Sequence, residues 1–411
     1  MPGDDGGVAR NKAITLLSIG HACVDVYQGA VAALVPYFVA ERAYTYAAVS
    51  GIVLAASLLS SVAQPLFGLA TDRRAMPWLL PVSTLVGGLG IALSGLGDSY
   101  ALTLLFVGIG GVGVAAYHPE SARVARVASG GSHTAMGWFS LGGNLGFALA
   151  PVLVAVVVGA GGLRLTPLLV VPALVGSLLT LPVLRGLERL TSAAPEAGTA
   201  PAVPDDVASF VRLALAVVCR SVVFIGLSTF IAFYVRQRTG GGAAAGTAAL
   251  VVLYLGGAVG TVLGGALAER WDRVTVVRRS YLLTVGAVAG LVLLPGSSAL
   301  YVCIALTSAG LYVPFSLQVT LAQDYLPSRV GTASGITLGL TVSVGGLFSP
   351  LIGRLADATS LQTALLPLIA MPALSWLLFL TLTEPARPDA PRRTSGGGRG
   401  MIGTRGSSCR R

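Results

Sequence analysis

Long apolar stretches, punctuated by glycine, proline and clusters of charge, follow one another along the chain at about 14–40, 46–71, 77–97, 100–119, 133–159 and 166–187. A second set follows at about 209–235, 245–268, 276–295, 299–322, 330–353 and 362–383. A helix needs about 20 apolar residues to cross the hydrocarbon core of a bilayer, and each stretch is of that order. Ten-residue segments of alternating polarity, the mark of barrel strands, are absent. The pattern predicts an all-α integral membrane protein of twelve transmembrane helices in two six-helix bundles. Residues 1–13 form an N-terminal cytoplasmic segment, 14–187 the first bundle and 188–208 a cytoplasmic linker. Residues 209–383 form the second bundle and 384–411 a disordered basic tail. The linker holds TSAAPEAGTAPAVPDD, a Pro- and Ala-rich composition that suits a connection between half-domains.

Composition supports this reading. Of 411 residues, 54% are apolar and 11% charged, with 54 glycines besides. Soluble domains carry about a quarter charged residues, so this chain has too few to cover a wetted surface. The mean hydropathy of +0.80 agrees. The formal charge of +10 is mostly a topology signal. If both termini are cytoplasmic, 21 of the 27 basic residues lie on the inner side. Only Arg42, Arg164, Arg236, Arg238 and Arg354 lie outside, and Arg220 falls inside a span. That bias orients a multi-pass protein of the inner (cytoplasmic) membrane. Basic residues form no stripe interleaved with aromatics, so nucleic acid is not an expected partner. Cys23, Cys219 and Cys303 stand alone in apolar runs and Cys409 lies in the tail, with no C-x-x-C and no metal spacing. No metal or cofactor is expected. The first apolar run is too long for the h-region of a cleavable signal peptide.

The two sets repeat at an offset near 197 residues. GLATDRR, with Gly68, Asp72 and Arg73, follows the second span, and GALAERWDR, with Gly265, Glu269 and Arg270, follows the eighth. Pro151 answers Pro350, and Gly113 answers Gly310. Two related six-helix halves are the plan of many secondary transporters. At these residues the chain resembles the major facilitator superfamily, whose loop motif Gly68-x-x-x-Asp72-Arg73 matches. GH-x-x-x-D (Gly20 to Asp25), QP-x-x-G-x-x-x-D-R (Gln64 to Arg73), HPESARVARVASGG (His118 to Gly131) and GGN (Gly142 to Asn144) are similar to its fosmidomycin-resistance branch. The resemblance implies a monomer that exports a small organic compound, a fosmidomycin-like antibiotic or metabolite, driven by the proton gradient. Ala150-Pro151 stands where drug exporters carry Gly-Pro, which leaves uptake by the same fold as an alternative. By the same resemblance Gly68, Asp72, Arg73, Glu269 and Arg270 have a gating role, with Asp72 at a neighbouring helix N-terminus, where the dipole favours an anion.

Two charges lie deep in predicted spans, where a charge costs roughly 2.5–3.5 kcal/mol on insertion scales and marks a cavity or a pairing. Asp25 in helix 1 and Arg220 in helix 7 both fall about 3 Å to the cytoplasmic side of centre. They are expected to face each other, either as a proton-coupling pair or as a static ion pair. His21 is one turn before Asp25 on the same face, as a proton relay or a packing residue. Gln28, Tyr117, His118, Tyr312 and Gln318 are candidate substrate-binding residues. His118, Pro119 and Glu120 are expected to end helix 4, with Arg123 beside them, in a gating or a capping role. A membrane enzyme is the reading of a different class. It would need a catalytic cluster, and the three histidines (His21, His118, His133) have no carboxylate-rich neighbourhood in sequence. No G-x-x-x-x-G-K-[ST] is present to suggest an ATP-driven pump, and no filter-like loop to suggest a channel.

Overall fold

The computed structural model describes residues 5–129, 132–191, 204–295 and 299–385. The helices of the first half are α1 (Asp5–Arg42), α2 (Tyr46–Arg73), α3 (Leu79–Ser94), α4 (Tyr100–Ser129), α5 (His133–Gly161) and α6 (Val171–Thr191). A 3-10 stretch, Leu163–Val170, leads into α6. The second half holds α7 (Val207–Thr239), α8 (Ala243–Ala268), α9 (Arg273–Leu293), α10 (Leu300–Tyr325) and α11 (Val330–Ala358). Its twelfth span is broken into α12 (Leu361–Leu365), a 3-10 turn at Leu366–Ile369, and α13 (Ala370–Leu380). Pro367 and Pro372, which lack a backbone N–H, account for the interruption. Among the described residues there is no strand, and eleven segments are long and apolar enough to cross a membrane. Leu79–Ser94 is apolar but shorter.

Contacts between chain ends fix the alternation of the spans. At one end, Glu41 accepts from Leu163 N at 3.2 and 3.0 Å, and Arg42 donates to Gly95 O at 3.1 Å. Gln362 donates to Val292 O there at 2.8 Å. At the opposite end, Arg273 pairs with Asp324 and Glu384, each at 2.6 Å, and Asp206 N donates to Tyr325 O at 2.7 Å. Ser328 also hydrogen-bonds the Asp205 carboxylate there, which holds that carboxyl below its usual range. These will be called the Arg42 end and the Arg273 end.

Within each half, small residues let backbones approach. A Cβ on Gly113 in α4 would overlap the backbone of Gly87 in α3, and one on Gly310 in α10 would overlap Thr284 in α9. The repeated glycines therefore make the same crossing in both halves, a packing device common in membrane helices. Between halves the contacts are uneven. At the Arg42 end, Asp357 of α11 accepts from Tyr46 N and Ala47 N, at 3.0 and 2.9 Å, across the first turn of α2. Tyr46 stands edge-on to Phe233 at 5.2 Å, and Gly346 and Gly353 of α11 bear directly on Ser57 and Ser50. Towards the Arg273 end, Gly68, Gly137, Gly265 and Gly335, on α2, α5, α8 and α11, would place a Cβ with nothing within 4 Å. The halves touch at the Arg42 end, and these four glycines toward the Arg273 end face open space.

Two boundaries differ from expectation. α1 begins at Asp5, so the helix reaches back into the expected N-terminal segment. α4 does not end at Pro119 but runs on to Ser129. The proline removes one N–H, and the next turn is held by Ser121 Oγ donating to His118 O and by the Glu120–Arg123 pair. Most of the expected linker and nearly all of the tail lie outside the described residues.

Packing at the repeated glycines gives a direct test. Gly113→Ala and Gly310→Ala should each lower thermal stability, by about 1–3 kcal/mol for an overpacked site. Gly68→Ala should leave the midpoint level or raise it, since alanine is the better helix former by roughly 1 kcal/mol. An unchanged unfolding midpoint for Gly113→Ala in detergent would contradict the α3–α4 crossing.

Candidate functional site

Three polar side chains meet where α1, α4 and α5 pack together. His21 and Asp25 share a face of α1, and His21 Nε2 lies 3.2 Å from Asp25 Oδ2. His118 of α4 brings its Nε2 to 3.2 Å from the other oxygen, Oδ1. The Oδ1 contact is close but poorly aligned, so that buried oxygen lacks a well-formed hydrogen bond. Phe139 of α5 stacks on the His21 ring at 4.3 Å, and Tyr117 stands 6.0 Å from it. The glycines of the GGN segment explain how α5 comes so near. A Cβ on Gly142 would overlap Ser18 O, and one on Gly143 would overlap Asp25 Oδ2 and lie 2.8 Å from the His21 ring.

The outer nitrogens of both rings are already committed. His21 Nδ1 lies 2.9 Å from Phe139 O, and His118 Nδ1 lies 2.8 Å from Val114 O. A carbonyl oxygen only accepts, so both Nδ1 atoms carry hydrogen. In a neutral imidazole the remaining Nε2 is then a bare lone pair. Two such lone pairs would face one carboxylate, an arrangement with acceptors opposed on both sides. One added proton turns an opposed contact into an imidazolium–carboxylate hydrogen bond, which is stronger than a neutral one. The three ligand atoms lie within 4.8 Å of one another, the one grouping among the described residues with metal-like proximity. A proton on either ring relieves one of the two opposed contacts. Sequence spacing did not reveal the cluster because its third member arrives from α4.

Arg220 does not join it. The guanidinium is buried in the second half, where NH1 donates to Leu311 O at 3.0 Å and NH2 to Thr341 Oγ1 at 3.2 Å. It lies 5.3 Å from the centre of the Phe315 ring, and its Nε has no partner among the described residues. The expected pairing of Asp25 with Arg220 is therefore corrected: α1 turns its charge toward α4 and α5, and α7 turns its own toward α10 and α11. Among the described residues no carboxylate bonds Arg220.

Between the halves is a cavity. Gln28, Val31, Ser60, Val114 and Phe147 line it from the first half, and Phe224, Ser228 and Tyr254 from the second. Of the five expected substrate-binding residues it takes Gln28. Tyr117 and His118 belong to the His–Asp cluster instead. Tyr312 is buried with its ring edge-on to Phe224, and Gln318 is buried with its amide donating to Tyr281 at 2.7 Å. Ser228, Tyr254, Phe147 and Phe224 escaped sequence reasoning, since nothing in an apolar span distinguishes a cavity wall from a packed face. Of the expected gating residues, Glu120 is fully buried and bonded to Arg123 by both carboxylate oxygens, a contact within one helix. Arg73, Glu269 and Arg270 are exposed, and Gly68 has no near neighbour. The Asp72 side chain lies outside the described residues.

The contact of Gly143 with Asp25 should appear in a double-mutant cycle. Gly143→Ala should lower thermal stability. In an Asp25→Ala background it should cost less, because the oxygen that its methyl strikes is gone. Coupled neighbours typically show about 0.5–3 kcal/mol of interaction. Additive losses in unfolding experiments would contradict the packing of α5 on the carboxylate.

The profile of the Major Facilitator Superfamily matches residues 17–350. The chain is 30% identical over 368 residues to the fosmidomycin resistance protein of Escherichia coli (strain K12), covering 86% of this chain and 90% of that one. It is 29% identical to the uncharacterized MFS-type transporter YfnC of Bacillus subtilis (strain 168), over 89% of this chain and 92% of the other. Among solved structures, a bacterial homolog of the human lysosomal transporter Spinster, inward-facing and unoccupied, superposes with a TM-score of 0.72 at 16% identity. That match covers 92% of this chain and 99% of the other. A point mutant of the nucleoside transporter NupG gives 0.72 at 12% identity, over 90% of this chain and 99% of the other. Fold and relatives are those of transporters rather than enzymes, and the chain belongs to the major facilitator superfamily.

Proposed function

We propose that this transporter is proton-coupled, works by alternating access, and exports a small organic compound as a monomer in the cytoplasmic membrane. The observation that carries the proposal is the His21–Asp25–His118 cluster, whose two committed Nδ1 atoms leave a bare nitrogen facing each carboxylate oxygen when both rings are neutral. The name of the Escherichia coli relative supports an antibiotic or related metabolite as cargo. With both termini cytoplasmic, as the distribution of basic residues favours, the Arg273 end faces the cytoplasm and the closed Arg42 end faces outward.

The chemistry needs little motion. With the proton bound, Asp25 holds α1 against α4 through an imidazolium. When the proton leaves, opposed lone pairs weaken the contact between these helices, so proton release and helix rearrangement favour one another. The cavity wall begins on α1 at Tyr27 and Gln28, within a turn of Asp25, near enough for that rearrangement to reach it. In the other half of the cycle Asp72 meets a helix N-terminus as the cytoplasmic side closes. That contact would be the counterpart of Asp357 on α2 at the Arg42 end. Arg220 is a fixed charge of the second half that acts apart from the cluster.

In proteoliposomes Asp25→Asn should lose transport driven by a pH gradient and keep downhill exchange, because the amide retains the shape but no longer supplies the negative charge that holds a proton on the neighbouring imidazoles. His118→Gln should lose at least tenfold in the driven reaction. Gradient-driven transport by Asp25→Asn at the wild-type rate would refute the coupling role. Everted vesicles, in which export appears as uptake, fix the direction, and accumulation only in right-side-out vesicles would make the chain an uptake carrier.

A further inference from the structure

The walls of the central cavity say what kind of molecule fits between the halves. Its charged neighbours are turned away from it. The Asp25 carboxylate and its two imidazoles are closed in among α1, α4 and α5, and the Arg220 guanidinium is held by α10 and α11. Neither group lines the cavity, and among the described residues no charged side chain does. Three rings from both halves meet across it. Phe147 stands edge-on to Tyr254 at 5.4 Å, and Phe224 is tilted against Tyr254 at 6.2 Å. Branched aliphatic side chains such as Val31 and Val114 complete most of the surface.

The polar groups on the wall are few and neutral. Gln28 is half-buried in it, with two amide hydrogens and a carbonyl to offer. Ser228 Oγ is buried beside the Tyr254 hydroxyl, which it approaches without a well-formed hydrogen bond. A buried hydroxyl without a partner is costly unless a ligand or water satisfies it. An ion entering this space would lose its hydration and meet no countercharge, whereas a neutral amphipathic molecule would gain apolar contact and answer the free polar groups.

We infer that the substrate is an uncharged amphipathic compound, with an aromatic or branched body against Phe147, Phe224 and Tyr254 and one or two hydrogen-bonding groups at Gln28 and Ser228. This rests on the transport reading for the role of the cavity, and it separates cargo recognition from the ionised groups. The test is equilibrium binding to the purified protein in lipid nanodiscs. The probes are uncharged aromatic amides with chloramphenicol among them, the anionic phosphonate fosmidomycin, and the cation ethidium. At least one uncharged probe should bind saturably, and Gln28→Ala should weaken it about tenfold, the loss of one well-made hydrogen bond to a ligand. Phe147→Ala should weaken it as well, and a hundredfold excess of fosmidomycin or ethidium should not compete. The inference is overturned if no uncharged probe binds, if Gln28→Ala and Phe147→Ala leave binding intact, or if an ionic probe binds in a Gln28-dependent way. The same vesicles used for transport distinguish the two readings. An uncharged probe that binds but is never driven by a pH gradient removes the coupled exporter and keeps this assignment. Driven transport of fosmidomycin alone does the reverse.

Discussion

Two imidazoles that each give their Nδ1 hydrogen to a backbone carbonyl have one way left to meet a carboxylate comfortably, and it requires a further proton. His21 is tied to Phe139 O and His118 to Val114 O, on α5 and on α4 itself. The carbonyls are fixed by their helices, so the rings cannot exchange tautomers without losing buried hydrogen bonds. The protonation state of the cluster and the packing of α1, α4 and α5 thus become one variable. In a span, where an uncompensated charge is expensive, such a cluster is a natural place for a transported proton to reside.

The rest of the structure keeps that arrangement tight and the two halves loosely joined. Glycines do the first task. Gly142, Gly143 and Gly146 bring the backbone of α5 onto α1, where any side chain would overlap Ser18, Asp25 or Ala22. A polar contact at the Arg42 end does much of the second. Asp357 accepts two backbone hydrogens from the first turn of α2 in the other half, a charge on a helix dipole that is modest in energy and exposed. A contact of that kind can hold one conformation without trapping the protein in it. The Arg273 end, with Gly68 and Gly335 unopposed, is consistent with a molecule caught open on one side.

Much of this could be read from the residues themselves. Span count and duplication follow from hydropathy and from Gly68, Gly113, Pro151 and their partners about 197 positions on. Asp25 and His21 announce themselves as polar residues one turn apart in an apolar helix. The local sequence could not say which way each side chain points. Asp25 and Arg220 lie at matching depths on equivalent helices, yet depth does not fix rotation about the helix axis, and the two charges turn away from each other. His118 was misjudged for a related reason: Pro119 suggests a helix end, but the following turn carries its own hydrogen bonds and α4 continues. The cavity wall was opaque because Phe147, Phe224 and Tyr254 are common core residues that acquire meaning only when two halves face each other.

The account depends most on where the hydrogens sit, and the chain has only three histidines, which makes that measurable. Nitrogen NMR of protein labelled at histidine, with His133 assigned by substitution, reports the tautomer and charge of His21 and His118 directly. The account predicts that both carry hydrogen on Nδ1, that at least one is an imidazolium at neutral pH, and that this signal is lost in Asp25→Asn. Two neutral rings with hydrogen on Nε2 would contradict it, because Asp25 would then be satisfied without a proton to carry.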